Sequence, residues 1–144
     1  MDANGRLPRD LKVILFGVPL YILFSCFDWQ QVPTFYGPEG QTEWVGRGAV
    51  AVVLALVLLV WEVGRDYVLY GRMASPIQAG TSLLVAFLLA LFTLLAFLHQ
   101  SLFRHWPAWC GLIASLVIAT AALARAVREG RQLRQAKSTS SPAE

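Results

Sequence analysis

"SPIQAGTSLLVAFLLALFTLLAFL", residues 75–98, holds no charged side chain from end to end. As a helix it measures about 36 Å, more than the roughly 30 Å of a bilayer's hydrocarbon core. Its start reads as a helix N-terminus, with Ser75 as N-cap, Pro76 at the first helical position and Gln78 three residues after the cap. Lipid supplies no partner for backbone N–H and C=O groups, and leaving them unpaired costs several kcal/mol each, so such a run must be helical.

Outward from this block lie three more. Val13–Phe27 is short and carries Gly17 and Pro19 in its middle, where a kink is expected. Val45–Val63 has Trp44 and Trp61 at its ends, and Pro107–Ala124 is entered through Trp106 and Trp109. With 56% apolar and 15% charged residues in 144, the chain is too small to hide four such blocks from water. The pattern predicts an all-α membrane protein: four transmembrane helices at about 12–28, 45–63, 76–98 and 107–124, forming an antiparallel up-down bundle over residues 1–124. Residues 125–144 form a basic tail. In it Arg125, Arg128, Arg131 and Arg134 continue the fourth helix before "KSTSSPAE" ends in disorder.

The cations give a direction. Arg6, Arg9, Lys12, Arg65, Arg72, Arg125, Arg128, Arg131, Arg134 and Lys137 fall on one side, while Arg47 and Arg104 alone fall on the other. Ten against two places both termini in the cytoplasm of a multi-pass cell-membrane protein. The net charge of +3 therefore points to anionic lipid head groups rather than nucleic acid.

Between the first two spans lies "FDWQQVPTFYGPEGQTEWVGRG", residues 27–48. Trp29, Phe35, Tyr36 and Trp44 suit the aromatic belt at the membrane–water boundary, and "YGPEG" supplies turn chemistry, so the stretch reads as an interfacial loop on the outer side. The succession "FDWQ", "GPEGQTEWVGRG", "AVVLALVLLVWEVGR" resembles small four-span membrane proteins common in actinobacteria, with Trp29 after the first span and Trp44 before the second. In place of that family's usual Pro-Trp pair, Asp28 precedes Trp29. The resemblance covers residues 20–65 and implies no activity, so it carries over no functional residue.

Candidate chemistry is sparse. The charge-free run between Arg47 and Glu62 measures about 21 Å as helix, so each of these residues sits about one turn inside the boundary. An ionisable group at that depth is a candidate site; the structural alternative is that Glu62 pairs with Arg65, Lys12 or Arg125. His99 and His105 share the outer side with Asp28, Glu39 and Glu43, a set that could bind a metal or sense protons, yet the spacing matches no metal-ligand pattern. Cys26 and Cys110 lie near outer span ends, where a disulfide is geometrically allowed if the first and fourth helices are neighbours; two free thiols are the alternative. "LFSC" at 23–26 also has the outline of a lipobox, with the bulky Phe24 against it.

Small residues recur four apart at Ala51 and Ala55, Ala86 and Ala90, and Gly111, Ser115 and Ala119, a spacing that lets helices approach closely. The hydroxyls of Ser25, Thr81, Ser82, Thr93, Ser115 and Thr120 have no base beside them in sequence and are expected to bond backbone carbonyls. No HExxH, GxSxG or phosphate-loop motif occurs, and no Asp, Glu, Lys, Arg or His stands near a span centre. These features predict a non-enzymatic membrane protein without cofactor or resident metal, acting as an accessory or assembly partner of another membrane protein or of itself. The alternative is a small oligomeric transporter using Glu62 and Arg47.

Overall fold

The computed structural model describes residues 8–42, 44, 46–68, 76–99 and 105–139. Among the described residues are four helices, α1 (Arg9–Ser25), α2 (Arg47–Val68), α3 (Pro76–His99) and α4 (Trp106–Thr139), and, between α1 and α2, an antiparallel hairpin of β1 (Asp28–Thr34) and β2 (Gly37–Thr42). Most of the packing forms a closed ring, α1 on α2 and α4 and α3 on α2 and α4, with α1–α3 and α2–α4 meeting across it through side chains.

Small residues set the packing distances. Ala51, Ala55, Ala86 and Ser115 are fully buried and Gly111 is buried, so the four-residue spacing faces the interior, with Ala119 half-buried. A Cβ on Gly17 would lie 3.0 Å from Ile118, so α1 and α4 approach each other closely there. The core runs through Ile14, Val18 and Tyr21 of α1, Leu58 of α2, Leu89 of α3 and Ile118 of α4. Inside it the Tyr21 hydroxyl and Thr93 Oγ1 share a hydrogen bond of 2.7 Å. In an apolar interior a lone hydroxyl is costly, so each satisfies the other.

Among the described residues, three helices hold windows long and apolar enough to cross a membrane: Arg47–Arg65, Gly80–His99 and Trp106–Gln132. Only 28% to 33% of each window is buried, so most of an apolar helix surface faces outward. That is the expected exterior where the surroundings are themselves apolar. With 17 residues, about 25 Å, α1 is shorter. It nevertheless exposes Phe16, Leu20 and Leu23 on its outer face. It continues unbroken through Pro19, whose lost N–H leaves the carbonyl of Leu15 without its helical donor.

Two expectations need revision. Residues 28–42 are not an irregular loop but a hairpin, with Thr34 opposite Gly37 and Phe35-Tyr36 as the turn. Gly37 sits at φ 119°, a conformation that favours glycine. And α4, which continues past residue 124 through the arginines as expected, does not end before "KSTSSPAE": its 34 residues, about 51 Å, carry helix through Thr139. The N-cap role of Ser75 and the fates of Arg72, Glu43, Arg104 and residues 140–144 lie outside the described residues.

Candidate functional site

Among the described residues, the buried charges meet at one end of the helix ring. Glu62, in the last third of α2, is fully buried. Its Oε2 accepts a hydrogen bond from Arg125 Nη1 of α4 at 2.5 Å. Arg125 also donates through Nε to Glu129 Oε1 at 3.0 Å, one helical turn further along α4. Glu129 in turn receives Arg65 Nη2 at 2.6 and 2.7 Å on its two oxygens, closing the chain back onto α2. Two guanidinium groups thus alternate with two carboxylates, the formal charges cancel, and α2 is tied to α4. Glu62 Oε1 and Arg65 Nη1 are buried without a hydrogen-bond partner.

Beside this quartet, Arg128 Nη2 of α4 donates to Asp10 Oδ2 of α1 at 2.6 Å. That pair is more open, with 42% of the Arg128 side chain exposed. Arg128 follows Arg125 by three residues, which rotates it toward α1 while Arg125 faces α2. The three-residue repeat of the basic segment therefore places its side chains around the helix: Arg125 inward, Arg128 toward α1, Arg131 and Arg134 into the surroundings.

The opposite end is closed by Trp29. Along β1 the pairing runs from Asp28 opposite Thr42 to Gln30 opposite Gln41, so Trp29 is the extra residue of a bulge. Bulges re-aim side chains, and this one turns the indole into the bundle, where it is 4% exposed. Its Nε1 donates to Phe24 O at 2.9 Å and its ring meets Tyr21 edge-on. The ring lies so closely on Gly111 that a Cβ there would collide with it. The Trp29 carbonyl accepts the His105 N–H at 2.9 Å, which fixes the entry to α4. Trp29 is therefore a plug and not a member of an aromatic belt. An exposed collar of Trp44, Trp106 and Trp109 lies at the same end of the helices, with Phe35 and Tyr36 almost wholly exposed at the hairpin tip.

The other sequence candidates fall apart from one another. Arg47 is exposed at the first residue of α2, about 22 Å along the helix from Glu62. The two are not in contact within one copy of the chain. Asp28 is exposed, and its carboxylate lies over Gly40, where it leaves no room for a Cβ. His99 is exposed at the end of α3, and His105 is half-buried just before α4, with its carbonyl accepting the Ala108 N–H. Among the described residues no three His, Cys, Asp or Glu side chains converge on a metal position. Cys26 and Cys110 are free thiols although α1 and α4 are neighbours. Cys26 follows the last turn of α1, and its Sγ donates back to Ile22 O.

Several hydroxyls bond backbone as their isolation implied: Ser25 to Ile22 O, Ser115 to Leu112 O and Thr120 to Val117 O. Ser82 donates to Gln78 O and receives the Trp61 indole N–H at 3.1 Å, a link between α2 and α3. Sequence reasoning missed Glu129 and Asp10. The signals were there: Glu129 stands four residues after Arg125, and Asp10 lies among the cations of the N-terminal segment. No protein-family model, curated protein or solved structure matches this chain.

Proposed function

We propose that the chain is a multi-pass protein of the plasma membrane, with all four helices across the bilayer and both termini in the cytoplasm. It acts without catalysis, as an accessory or assembly partner of another membrane protein. The observation that carries this reading is where its polar groups go. Among the described residues the buried charged side chains pair in the quartet of Glu62, Arg125, Glu129 and Arg65 and Tyr21 pairs with Thr93, while the exterior of the helices is largely apolar. Such a molecule offers surfaces rather than a reactive centre.

Support for the fourth crossing comes from α1, whose outer face is as apolar as that of its neighbours and whose Asp10 reaches the level of Arg128. Arg9, Lys12, Arg65, Arg125 and Arg128 then share one end, which the positive-inside rule assigns to the cytoplasm. The hairpin and the tryptophan collar share the other end. The antiparallel order agrees with Asp10 meeting Arg128, and with Trp61 meeting Ser82. This is the arrangement expected of the small four-span proteins that residues 20–65 resemble. The surface offered to a partner is the outer end, where Phe35 and Tyr36 stand 97% and 93% exposed on a hairpin anchored by Trp29.

The test is affinity purification of the tagged chain from native membranes in mild detergent, followed by mass spectrometry, with a Phe35→Ser/Tyr36→Ser variant alongside. A stoichiometric second membrane protein, lost from the variant, is the expected result. Recovery of the chain alone, or only with itself, overturns the accessory reading.

A second reading, a carrier built on Glu62, has one observation in its favour: Glu62 Oε1 and Arg65 Nη1 are buried without partners. Arg47 would stand at the opposite end of such a path, exposed at the start of α2. Abolition of proton-coupled flux in reconstituted Glu62→Gln protein, with the fold retained, would favour the carrier over the accessory.

A further inference from the structure

At the Arg9–Arg128 end of the molecule the outer surface is indented. A groove of about 530 Å³ runs between α1 and α4, with Arg9, Asp10 and Arg128 at its mouth and Val13, Val117 and Ala124 among the residues of its walls. We propose that this groove binds one anionic phospholipid, its phosphate between Arg9 and Arg128 and one acyl chain lying along Val13, Ala124 and Val117. The inference rests on the membrane reading above and adds to it a specific lipid position.

Three properties of the groove fit that occupant. First, its charge is one-sided: two guanidinium groups face one carboxylate, leaving a single positive charge that a phosphodiester neutralises. Two further arginines at this end, Arg65 and Arg125, are enclosed by Glu62 and Glu129 and are not available to an outside ligand, and Arg131 and Arg134 lie outside the groove. Second, Arg128 is already oriented. Asp10 Oδ2 holds its Nη2 at 2.6 Å, yet 42% of the side chain is exposed, so little ordering is left for binding to impose. Third, the length is right. From Arg128 to Val117 the wall measures about 16 Å along α4, close to half of a hydrocarbon core of about 30 Å, which is the depth of one leaflet. Thr120 interrupts the apolar wall only nominally, because its hydroxyl proton is given to Val117 O at 2.9 Å. Ala121 and Ala124 keep the wall shallow, and an acyl chain restores the packing that their small side chains leave open.

The test uses the full chain, purified in mild detergent and offered equal amounts of phosphatidylglycerol and phosphatidylcholine, with bound lipid counted by native mass spectrometry. The wild type is expected to retain one phosphatidylglycerol in preference. Arg9→Gln, which leaves the Asp10–Arg128 pair intact, should lower that retention about five-fold, and Arg9→Gln/Arg128→Gln about 25-fold. The control Arg131→Gln/Arg134→Gln removes the same charge from exposed positions outside the groove and should change retention less than about two-fold. Ala124→Phe, at an exposed position, should displace both lipids by filling the groove. Equal retention of the two lipids by the wild type, or equal losses in the two double variants, overturns the site. A chain that leaves the membrane fraction without detergent refutes the membrane reading itself, a result distinct from either.

Discussion

Removing one charge from the buried quartet should destabilise the protein far more than removing two. Glu62 is 0% exposed and the Arg125 side chain 8%, so neither charge can turn to water when its partner is lost. At about 4 Å between charge centres and an effective dielectric constant of about 20, the pair is worth about 4 kcal/mol, and breaking a buried pair by truncating one member costs about 3–5 kcal/mol. The two single substitutions are not equivalent. Glu62→Met leaves Arg125 with Glu129 at 3.0 Å and should cost about 3 kcal/mol, at the low end of that range. Arg125→Met leaves a wholly buried carboxylate whose Oε1 already lacks a partner, and should cost about 5 kcal/mol. The double variant keeps Arg65 with Glu129 as a neutral pair and fills the gap with apolar side chains, so it should lie within about 1 kcal/mol of wild type. The assay is reversible unfolding in mixed micelles by titration with a denaturing detergent, followed by helical circular dichroism. At about 3 kcal/mol the folding constant falls more than a hundred-fold, well outside the error of such a titration. Single variants within about 1 kcal/mol of wild type, or a double variant no better than the sum of the singles, would falsify the account of the quartet as a mutually neutralised lock.

Trp29→Ala should cost about 3 kcal/mol and release hydrogen exchange throughout residues 28–42, because the indole anchors the hairpin on Phe24 and Gly111; exchange confined to the hairpin tip would contradict this. Gly111→Ala should be comparably damaging alone but add little to Trp29→Ala in the same unfolding titration, since its Cβ occupies the ring's position. Tyr21→Phe or Thr93→Val alone should cost about 1 kcal/mol by the same measurement, and the pair together little more than one, because each hydroxyl is the other's partner. Intact-mass spectrometry should find an uncleaved, unlipidated chain. Processing at Cys26 would delete α1, and with it the buried Leu11, Ile14, Val18 and Tyr21 and the carbonyl that holds Trp29. Cysteine labelling should reach position 36 from outside intact cells and position 132 only after permeabilisation; the reverse pattern would invert the proposed orientation.

The helices were legible because block length and charge are properties of the linear chain. For α2 and α3 the expected spans at 45–63 and 76–98 lie close to Arg47–Val68 and Pro76–His99. The ends of α1 and α4 were not legible, for a shared reason. Hydropathy marks an apolar run and not the hydrogen-bonded ends of a helix, so α1 begins earlier and stops earlier, at Arg9 and Ser25, than its apolar run, and α4 goes beyond the arginines to Thr139. The hairpin was missed because its strands carry Gly and Pro at several positions and show no apolar alternation. What holds them is one indole buried elsewhere.

The order of apolar and basic segments, and with it the class of surroundings this chain requires, is decided by the sequence alone, since it depends only on how many consecutive residues lack charge and where the cations stop. Which charges neutralise one another is decided only in three dimensions. Glu62 meets Arg125, Glu129 meets Arg65 and Asp10 meets Arg128 because helices distant in sequence bring them to one level, and at hydrogen-bonding distance in a medium of low dielectric a neighbouring charge outweighs every preference of the residue itself.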